Sequence, residues 1–531
     1  MDSADLLTGA SAGDDGSVFL VGGSWGKWEG QTAIGLYDFS VAKIDADGTL
    51  LWAWQEGSEG NDYMLAAAAI SDGGVVTAGY FNGTWNGVVP PGNLDIAAVK
   101  LGSDGTVVWR WQDGTDTDDV ITTCVETTDG NIVIAGFTFG SLDGVEDDGS
   151  SDIIAVKLNV DDGEVLWTYQ GGTSDRGGAY AYGAAARADG SVVLAGYSYG
   201  LFGDSNPSTD GLADFAAVAI DEDGAEIWRW QDGPGTGDNV FSACAALDDG
   251  SVLLAGKTYG DWNGANQGLA DFAMVKLNAL GVEEWRLQSG TELDDFWEGA
   301  ATTIDGSIVL AGTTSGGWAD SIQSNDASDF AAMSVNEDGL ELWSYQAGTD
   351  DLDILNGVVV RPDGSILLAG WTRGVWTLPE EADAYADFAA VLLNTSVLGT
   401  PSPETTPPTP THLPPAPTLS PVEQSSSGTS LGPIIGGAAG AATFLVILGV
   451  FFARRLLNSR RDKSIRTTTA NRAGSQQLPG VATSHIALPT PPPYTESPQP
   501  PPPPYTESPQ PPPPAYTETP QPPPPPYANR H

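Results

Sequence analysis

One stretch, residues 189–247, decides the fold: Asp189-Gly-Ser-Val-Val-Leu-Ala-Gly-Tyr-Ser-Tyr199, a loop from Gly200 to Ala213, Asp214-Phe-Ala-Ala-Val-Ala-Ile220, Asp221-Glu-Asp-Gly224, Ala225-Glu-Ile-Trp-Arg-Trp-Gln231, a short loop, and Asn239-Val-Phe-Ser-Ala-Cys-Ala-Ala-Leu247. Each run is rich in β-branched, aromatic or small residues, and each break carries Asp-Gly or Gly/Pro turn chemistry. Four short strands separated in this way are the pattern of one propeller blade. The same sentence opens seven times, at Asp15, Asp72, Asp129, Asp189, Asp249, Asp305 and Asp363. The steps of 57, 57, 60, 60, 56 and 58 residues carry no helical signal. Such a period signals a radial or solenoid array rather than independent domains.

The small-residue strand, for example Leu65-Ala-Ala-Ala-Ala-Ile70 or Ala243-Cys-Ala-Ala246, is expected innermost, where strands crowd at the axis. The Trp-bearing strand is expected at the wide outer edge or between blades. In this frame six blades end at Gln55, Gln112, Gln170, Gln231, Gln288 and Gln346, and the seventh, from about Asp353 to Asn394, lacks its Trp strand. The chain opens already inside a small strand. The expectation is therefore an all-β, seven-bladed ectodomain over 1–398, with an upstream Trp strand and a leader missing from a truncated N-terminus, since a ring closed by both termini leaves no exposed edge.

The run G-x-x-D-D … D-G-x-x-x-L-A-G-x-T … D-F-x-x-x-K-L-x-x-x-G-x-x-x-W-x-x-Q-x-G, clear from Asp129 to Gly172 and from Asp249 to Gly290, resembles the short β-propeller repeats of the SBBP type. The resemblance covers about three quarters of the chain. It implies a mostly extracellular propeller and no particular activity.

After Asn394 the composition changes. Residues 399–432 form a Pro/Thr/Ser-rich segment, including Thr405-Thr-Pro-Pro-Thr-Pro-Thr411, that reads as an extended stalk. Residues 433–453 are uncharged and almost wholly apolar, long enough at ~1.5 Å per residue to cross a ~30 Å hydrocarbon core. Residues 454–487 begin with Arg454, Arg455, Arg460, Arg461 and Lys463, which places the C-terminus in the cytoplasm and the propeller outside. Gly432, Gly436 and Gly440 have the small-xxx-small spacing that suits pairing of two such helices into a homodimer. Asn82-Gly-Thr84 and Asn394-Thr-Ser396 are glycosylation sequons, whereas Asn206-Pro-Ser208 is blocked by its proline.

The tail, 488–531, repeats every 11 residues a P-P-x-Y motif: Pro491, Pro492 and Tyr494; Pro502, Pro503 and Tyr505; Pro513, Pro514 and Tyr516; Pro524, Pro525 and Tyr527. These match the core ligand of WW domains, and four copies raise the effective concentration for a tandem-WW partner.

The chain holds 21 basic against 70 acidic residues. Eight basic and four acidic ones follow Ala453, leaving 13 against 66 before it, a net of −53. That field repels nucleic acid and anionic membrane. The two cysteines, Cys124 and Cys244, occupy one equivalent strand position two blades apart and read as buried free thiols, since a disulfide needs Cα atoms within about 7 Å. Histidine occurs only at His412, His485 and His531, so the propeller has no histidine for acid–base work or metal ligation.

Three recurring rings are candidates for function. Asp38, Asp95, Asp152, Asp214, Asp271, Asp329 and Asp387 open the third strands, and Asp5, Asp62, Asp119, Asp175, Asp238, Asp295 and Asp353 lie at or near the starts of the inner strands. Such carboxylates cap backbone N–H groups; with loop carbonyls they also suit calcium. Thirteen residues after each repeat Asp come Trp28, Trp85, Leu142, Phe202, Trp262, Trp318 and Trp376. Aromatic loops beside Asp and Asn suit a sugar face, and the structural alternative is that each ring pins its loop to the next blade. The expected function is a single-pass plasma-membrane protein that recognises an extracellular protein or glycan and recruits WW-domain proteins, without catalysis. The alternatives are a quinone-dependent dehydrogenase-like enzyme, whose Trp-docking repeats the run Leu158-Asn-Val-Asp-Asp-Gly-Glu-Val-Leu-Trp-Thr-Tyr169 resembles, and a passive acidic surface coat.

Overall fold

The computed structural model describes residues 5–28, 30–144, 150–174, 177–202, 211–318, 328–372 and 387–393. The first sheet is built from Asp5–Ala12, Val18–Ser24, Asp38–Ile44 and Leu50–Glu56, hydrogen-bonded in that order and antiparallel throughout. Five further four-stranded sheets repeat this plan, starting at Tyr63–Ala69, Asp119–Glu126, Ala179–Ala186, Asn239–Ala246 and Asp295–Thr302. The last sheet has three strands, Asp353–Val360, Ile366–Thr372 and Asp387–Leu393. The first strand of each sheet packs on the first strand of the next all the way round, and Asp353–Val360 packs back on Asp5–Ala12. The small-residue strand is therefore the innermost, as its composition requires.

The protein is an all-β propeller with six complete blades, not the seven expected. The seventh repeat forms an incomplete sheet, because among the described residues no strand pairs with the outer side of Asp387–Leu393. Closure of the ring is nonetheless continuous: Val18, Leu20 and Ile44 of the first sheet share one core with Val359 and Leu367 of the last.

Burial follows from this stacking. Second and third strands are covered on both faces by neighbouring sheets, so Ile132–Thr138, Asp152–Leu158 and Asp214–Ile220 are buried at every position. Outer strands such as Val165–Gly171 are part exposed. Each hydrophobic core lies between two consecutive sheets; Phe19, Phe39 and Trp54 of the first meet Met64, Phe81 and Trp85 of the second. Burying such side chains stabilises the stack by about 25 cal/mol per Å² of apolar surface.

The outer strands lock onto the next blade through their tryptophans. Indole Nε1 of Trp52, Trp109, Trp167, Trp228 and Trp285 donates to the carbonyls of Ser103, Val160, Glu222, Ala279 and Glu337, at 2.9, 2.9, 2.9, 3.1 and 3.0 Å. Each acceptor sits in the turn between third and fourth strands of the following blade. The glycines of those turns lie under the indoles: a Cβ on Gly105 or Gly281 would meet the ring of Trp52 or Trp228 at 2.8 or 2.6 Å.

The repeat Asp-Gly turns lie on the opposite side of each blade from the loops joining second to third strands. Their glycines have φ between +78° and +86°, and each aspartate accepts the N–H of the residue two on, as Asp15 does from Ser17 at 2.9 Å. The lysine of the third strand reaches back to this turn. Lys100 and Lys157 are buried and pair with Asp72 and Asp129 at 2.6 and 2.9 Å.

Residues 394–531 lie outside the described residues, and with them Asn394, the stalk, the apolar segment 433–453 and all four P-P-x-Y motifs. Among the described residues no helix is long and apolar enough to cross a membrane.

Candidate functional site

The recurring spacing inside each repeat resolves into a hydrogen-bonded clamp. The glutamine of the outer strand points back across its own blade. In the fifth blade Gln288 donates through Nε2 to the carbonyl of Gly260 at 2.9 Å and to Asp271 Oδ2 at 2.8 Å, and its Oε1 accepts from Trp262 N and Asn263 N, both at 2.8 Å. Gln55, Gln170, Gln231 and Gln346 repeat the arrangement with Asp38, Asp152, Asp214 and Asp329. Their Oε1 atoms hold the backbone N–H of Trp28, Leu142, Phe202 and Trp318.

The clamp decides two of the three candidate rings. In five blades the thirteenth-position residue is tied to the glutamine by its N–H. Trp85, Leu142 and Phe202 are 1 to 2% exposed and Trp262 is buried, all inside the inter-blade cores. Trp28 and Trp318 are half-buried, and Trp318 packs on Phe272 and Trp297. For Trp85, Phe202 and Trp262 the expected sugar stacking is corrected to loop pinning, because these rings are buried between blades. Trp376 lies outside the described residues.

From Asp38 to Asp329 the strand-opening aspartates are buried as well, and each of five accepts the glutamine Nε2. Asp387 is placed in its strand opposite Thr372. Among the described residues no group of three or more Asp, Glu, Cys or His stands together to hold a metal. The inner-strand ring is partly realigned. Asp62, Asp119, Asp295 and Asp353 stand at the starts of their strands and are buried, whereas in the fifth blade that place belongs to Asn239 and Asp238 precedes it. In the fourth blade Ala179 holds the place, and Asp175 lies outside the described residues.

The two aspartate rings meet between blades. A Cβ on Gly57 would lie 2.6 Å from both Asp38 Oδ1 and Asp62 Oδ2, and one on Gly290 would lie 2.5 and 2.9 Å from Asp271 and Asp295. Only glycine fits between two such carboxylates, which explains the Gln-x-Gly ending of the outer strand. Burial pushes Asp62, Asp95 and Asp295 up to about 6, and raises Asp119, Asp329 and Asp353. Hydroxyls and N–H groups of Ser58, Thr115, Thr291 and Thr349 partly compensate. Asp62, Asp119, Asp295, Asp329 and Asp353 are buried and hydrogen-bonded within the blades, which fits a structural role.

The second blade breaks the clamp. Asn86 and Gly87, at φ of 50° and 79°, make a tight turn in which Trp85 N donates to Val88 O at 3.1 Å instead of to Gln112. Two adjacent residues in the left-handed region are what an Asn-Gly turn supplies.

The accessible chemistry lies elsewhere, around the axis. Every inner strand carries a bulge at one residue: Thr8, Leu65, Thr122, Tyr182, Ser242, Glu298 and Asn356. All seven are half-buried, on the strands that surround the axis. Thr122 Oγ1 and Asn356 Nδ2 reach the inner strand of the following blade, at Ala181 O (2.7 Å) and Leu7 O (3.4 Å). Burial raises the carboxyl of Glu298, with Lys257 opposing.

On the face of the second-to-third-strand loops, the tenth residue after the repeat Asp stands at the channel mouth. These are Trp25, Asn82, Phe139, Tyr199, Tyr259 and Ser315. Trp25, Phe139, Tyr199 and Tyr259 are 48, 40, 39 and 43% exposed. Behind Phe139 and Tyr199 stand Phe137, Tyr180, Tyr182 and Tyr197 in one continuous aromatic cluster, with Tyr180 stacked on Tyr197 at 4.8 Å. A second chain, Trp25, Tyr37, Tyr63 and Tyr80, lines the first two blades. Burial pushes Tyr182 up to about 12, so its hydroxyl stays a neutral donor. Asp118, Asp238 and Asp294, half-buried, precede the inner strands beside this mouth, and their carbonyls accept the N–H of Phe139, Tyr259 and Ser315. In the sequence the thirteenth position carries the more regular aromatics; the tenth recurs with the same period, and its aromatics stand together in the third to fifth blades.

No family model matches the chain, and no curated protein matches it. Solved structures similar to it include BamB from Moraxella catarrhalis (14% identity, 68% of this chain and 82% of that one, TM-score 0.36). They also include the Pan2 WD40 domain of Neurospora crassa (11%, 58% and 86%, 0.34) and a quinohemoprotein alcohol dehydrogenase from Comamonas testosteroni (11%, 70% and 65%, 0.37). Likeness at this level bears on no activity of this chain.

Proposed function

We propose that the propeller is a carbohydrate-recognition module rather than an enzyme, and that it binds neutral glycans at the channel mouth. The observation that carries this is the exposed arc of Phe139, Tyr199 and Tyr259 on three consecutive blades, backed by a packed aromatic cluster. Exposed aromatic rings held rigidly offer a sugar its apolar face, and carboxylates and tyrosine hydroxyls beside them take its hydroxyl groups. The acidic field of the ectodomain disfavours sulfated or sialylated ligands.

On this reading the chain is a single-pass plasma-membrane protein anchored by 433–453, with the propeller outside, glycosylated at Asn82 and Asn394. Its P-P-x-Y tail recruits WW-domain proteins inside the cell. The ring is a seven-bladed propeller once its last sheet gains a fourth strand. Support for the anchor, the sequons and the tail comes from the sequence pattern.

The test is a glycan array probed with the whole chain. Binding to neutral glycans is expected, and Phe139→Ala, Tyr199→Ala and Tyr259→Ala should each weaken it by about tenfold or more with the melting temperature nearly unchanged. No binding, or binding indifferent to all three changes, overturns the reading.

A further inference from the structure

In five blades the strand-opening aspartate is held by the glutamine of the outer strand; Asp95, in the second blade, is not. It is 1% exposed, and both of its carboxylate oxygens are buried without a hydrogen-bond partner. Gln112 Oε1, from the outer strand of the same blade, is also buried without one.

The sequence explains why the donors are missing. The Asn86-Gly87 turn keeps Trp85 N on Val88 O, so the Gln112 amide loses the N–H that orients its counterparts, and it makes no bond to Asp95. A second donor fails nearby. Ile34 N donates to Asp38 Oδ2 at 3.1 Å and Gln267 N to Asp271 Oδ2 at 3.0 Å, each from four residues before its aspartate. Four residues before Asp95 stands Pro91, which has no N–H to give. The N–H of Gly92 is turned towards Asp95 outside hydrogen-bond geometry.

The surroundings are oxygens and negative charge. A Cβ on Gly92 would meet the carbonyls of Thr117 and Thr115 at 2.2 and 2.8 Å, and one on Gly114 would meet Asp95 Oδ1 at 1.9 Å. Burial first, then the like charges of Asp119, Asp113 and Asp118, push the carboxyl of Asp95 up to about 6. The two basic residues of the blade are engaged elsewhere, Lys100 with Asp72 and Arg110 with Glu56, both at 2.6 Å. A buried carboxylate with neither donor nor counter-charge is costly to keep, and what would relieve it here is a cation.

We propose that Asp95 and Gln112 Oε1, with carbonyl oxygens of the adjoining loops, hold one calcium ion at the junction of the second and third blades. Hard oxygen donors in an irregular shell suit calcium; magnesium demands a near-ideal octahedron and keeps its waters, and zinc favours nitrogen and sulfur. The buried Asp119 adds charge from the next strand, and the rest of the shell is neutral oxygen, so the site needs no trio of acids. So few charged ligands imply a dissociation constant on the order of 10⁻⁴ to 10⁻³ M. The five clamped aspartates are already satisfied by N–H donors and take no ion.

The test titrates the whole chain, freed of metal by a chelator, with calcium chloride at constant ionic strength. Expected are one site by calorimetry and a melting temperature raised by about 2 °C at ten times the dissociation constant. Magnesium should give no comparable rise. Asp95→Asn supplies an amide donor for Gln112 Oε1, so in chelator it should melt no lower than the unaltered chain, and its calcium response should vanish. Gln112→Ala should weaken calcium by about tenfold, whereas Asp271→Asn, at a clamped junction, should leave the response intact. Overturning results are no response up to about 10 mM calcium, an equal response to magnesium, a response that survives Asp95→Asn, or one that Asp271→Asn removes. The outcome is independent of the glycan reading, because Asp95 has no part in the aromatic arc.

Discussion

Replacing Gln288 with alanine removes four hydrogen bonds at once. Two are lost from its Nε2, to Gly260 O and to the buried Asp271, and two from its Oε1, which accepts from Trp262 N and Asn263 N. Neutral hydrogen bonds contribute about 1 kcal/mol each and one to a buried carboxylate about 2 kcal/mol, so the loss is about 5 kcal/mol. The propeller's size sets the melting readout. At about 2.1 cal/mol/K per residue, roughly 390 residues unfold with an entropy of about 0.8 kcal/mol/K, so the melting temperature should drop by about 6 °C. The molecule carries its own control. Gln112 has the same place in the second blade, but its Oε1 is buried without a hydrogen-bond partner because the Asn86-Gly87 turn takes the N–H of Trp85. Gln112→Ala should therefore cost about 1 kcal/mol and shift melting by about 1 °C. Differential scanning calorimetry on the two variants decides the matter. Equal losses would refute the clamp as the device that ties loop, strand and outer edge together.

The buried and turn aspartates set opposite pH dependences. Asp62, Asp95 and Asp295, pushed by burial up to about 6, hold protons in the fold that the unfolded chain releases near about 3.9, so stability should rise as pH falls from about 7 towards 4. Asp15, Asp249 and Asp363 are held below the usual range by hydrogen bonds from Ser17, Ser251 and Ser365, and the stability they give is present above about 4 and lost as pH falls through their folded values. Melting temperature plotted from pH 8 to pH 3 should peak between about 4 and 5, and a steady fall from pH 8 to pH 4 would contradict the assignment. In the tail, single Tyr→Ala changes at Tyr494, Tyr505, Tyr516 or Tyr527 should weaken a tandem-WW protein modestly, and all four together should remove binding, a loss steeper than additive. Retained binding by the quadruple variant in a pull-down would assign any recognition to the prolines alone.

The blade was legible because its signals are local: an Asp-Gly turn, a strand of small residues, a strand ending in Trp-x-x-Gln. The innermost place of the small strand followed from crowding, and it is where the structure has it. The roles of the periodic polar residues were not legible, because each role in the clamp depends on a partner 17 to 29 residues away. Asp152 and Leu142 look alike as ring members in the sequence, yet one supplies a carboxylate and the other a backbone N–H to the same amide, that of Gln170. The near miss at Asp238 has the same origin. Only pairing with Thr258 shows that Asn239, one residue later, fills the strand-opening place, with Thr258 Oγ1 donating to its Oδ1 at 2.6 Å.

The proposed glycan surface lies off the most regular positions of the repeat. Residues that recur in nearly every copy, namely the turn Asp, the clamp Gln, the docking Trp and the glycine wedged between two carboxylates, are fixed by contacts within the blade and with its neighbour. Such positions are committed to those contacts, and a ligand cannot use them. Variation concentrates at the bulge of the inner strand and at the channel mouth. There the seven bulge residues are Thr, Leu, Thr, Tyr, Ser, Glu and Asn, and the mouth changes from Trp25 to Asn82 to Phe139. A scaffold with near-seven-fold repetition is thus asymmetric around its axis, with Tyr182 and Glu298 at the bulges of two inner strands and exposed aromatic rings on three adjoining blades. If the proposed glycan reading holds, specificity comes from departures from the repeat, and the exposed rings of Phe139, Tyr199 and Tyr259 on the third to fifth blades are such a departure.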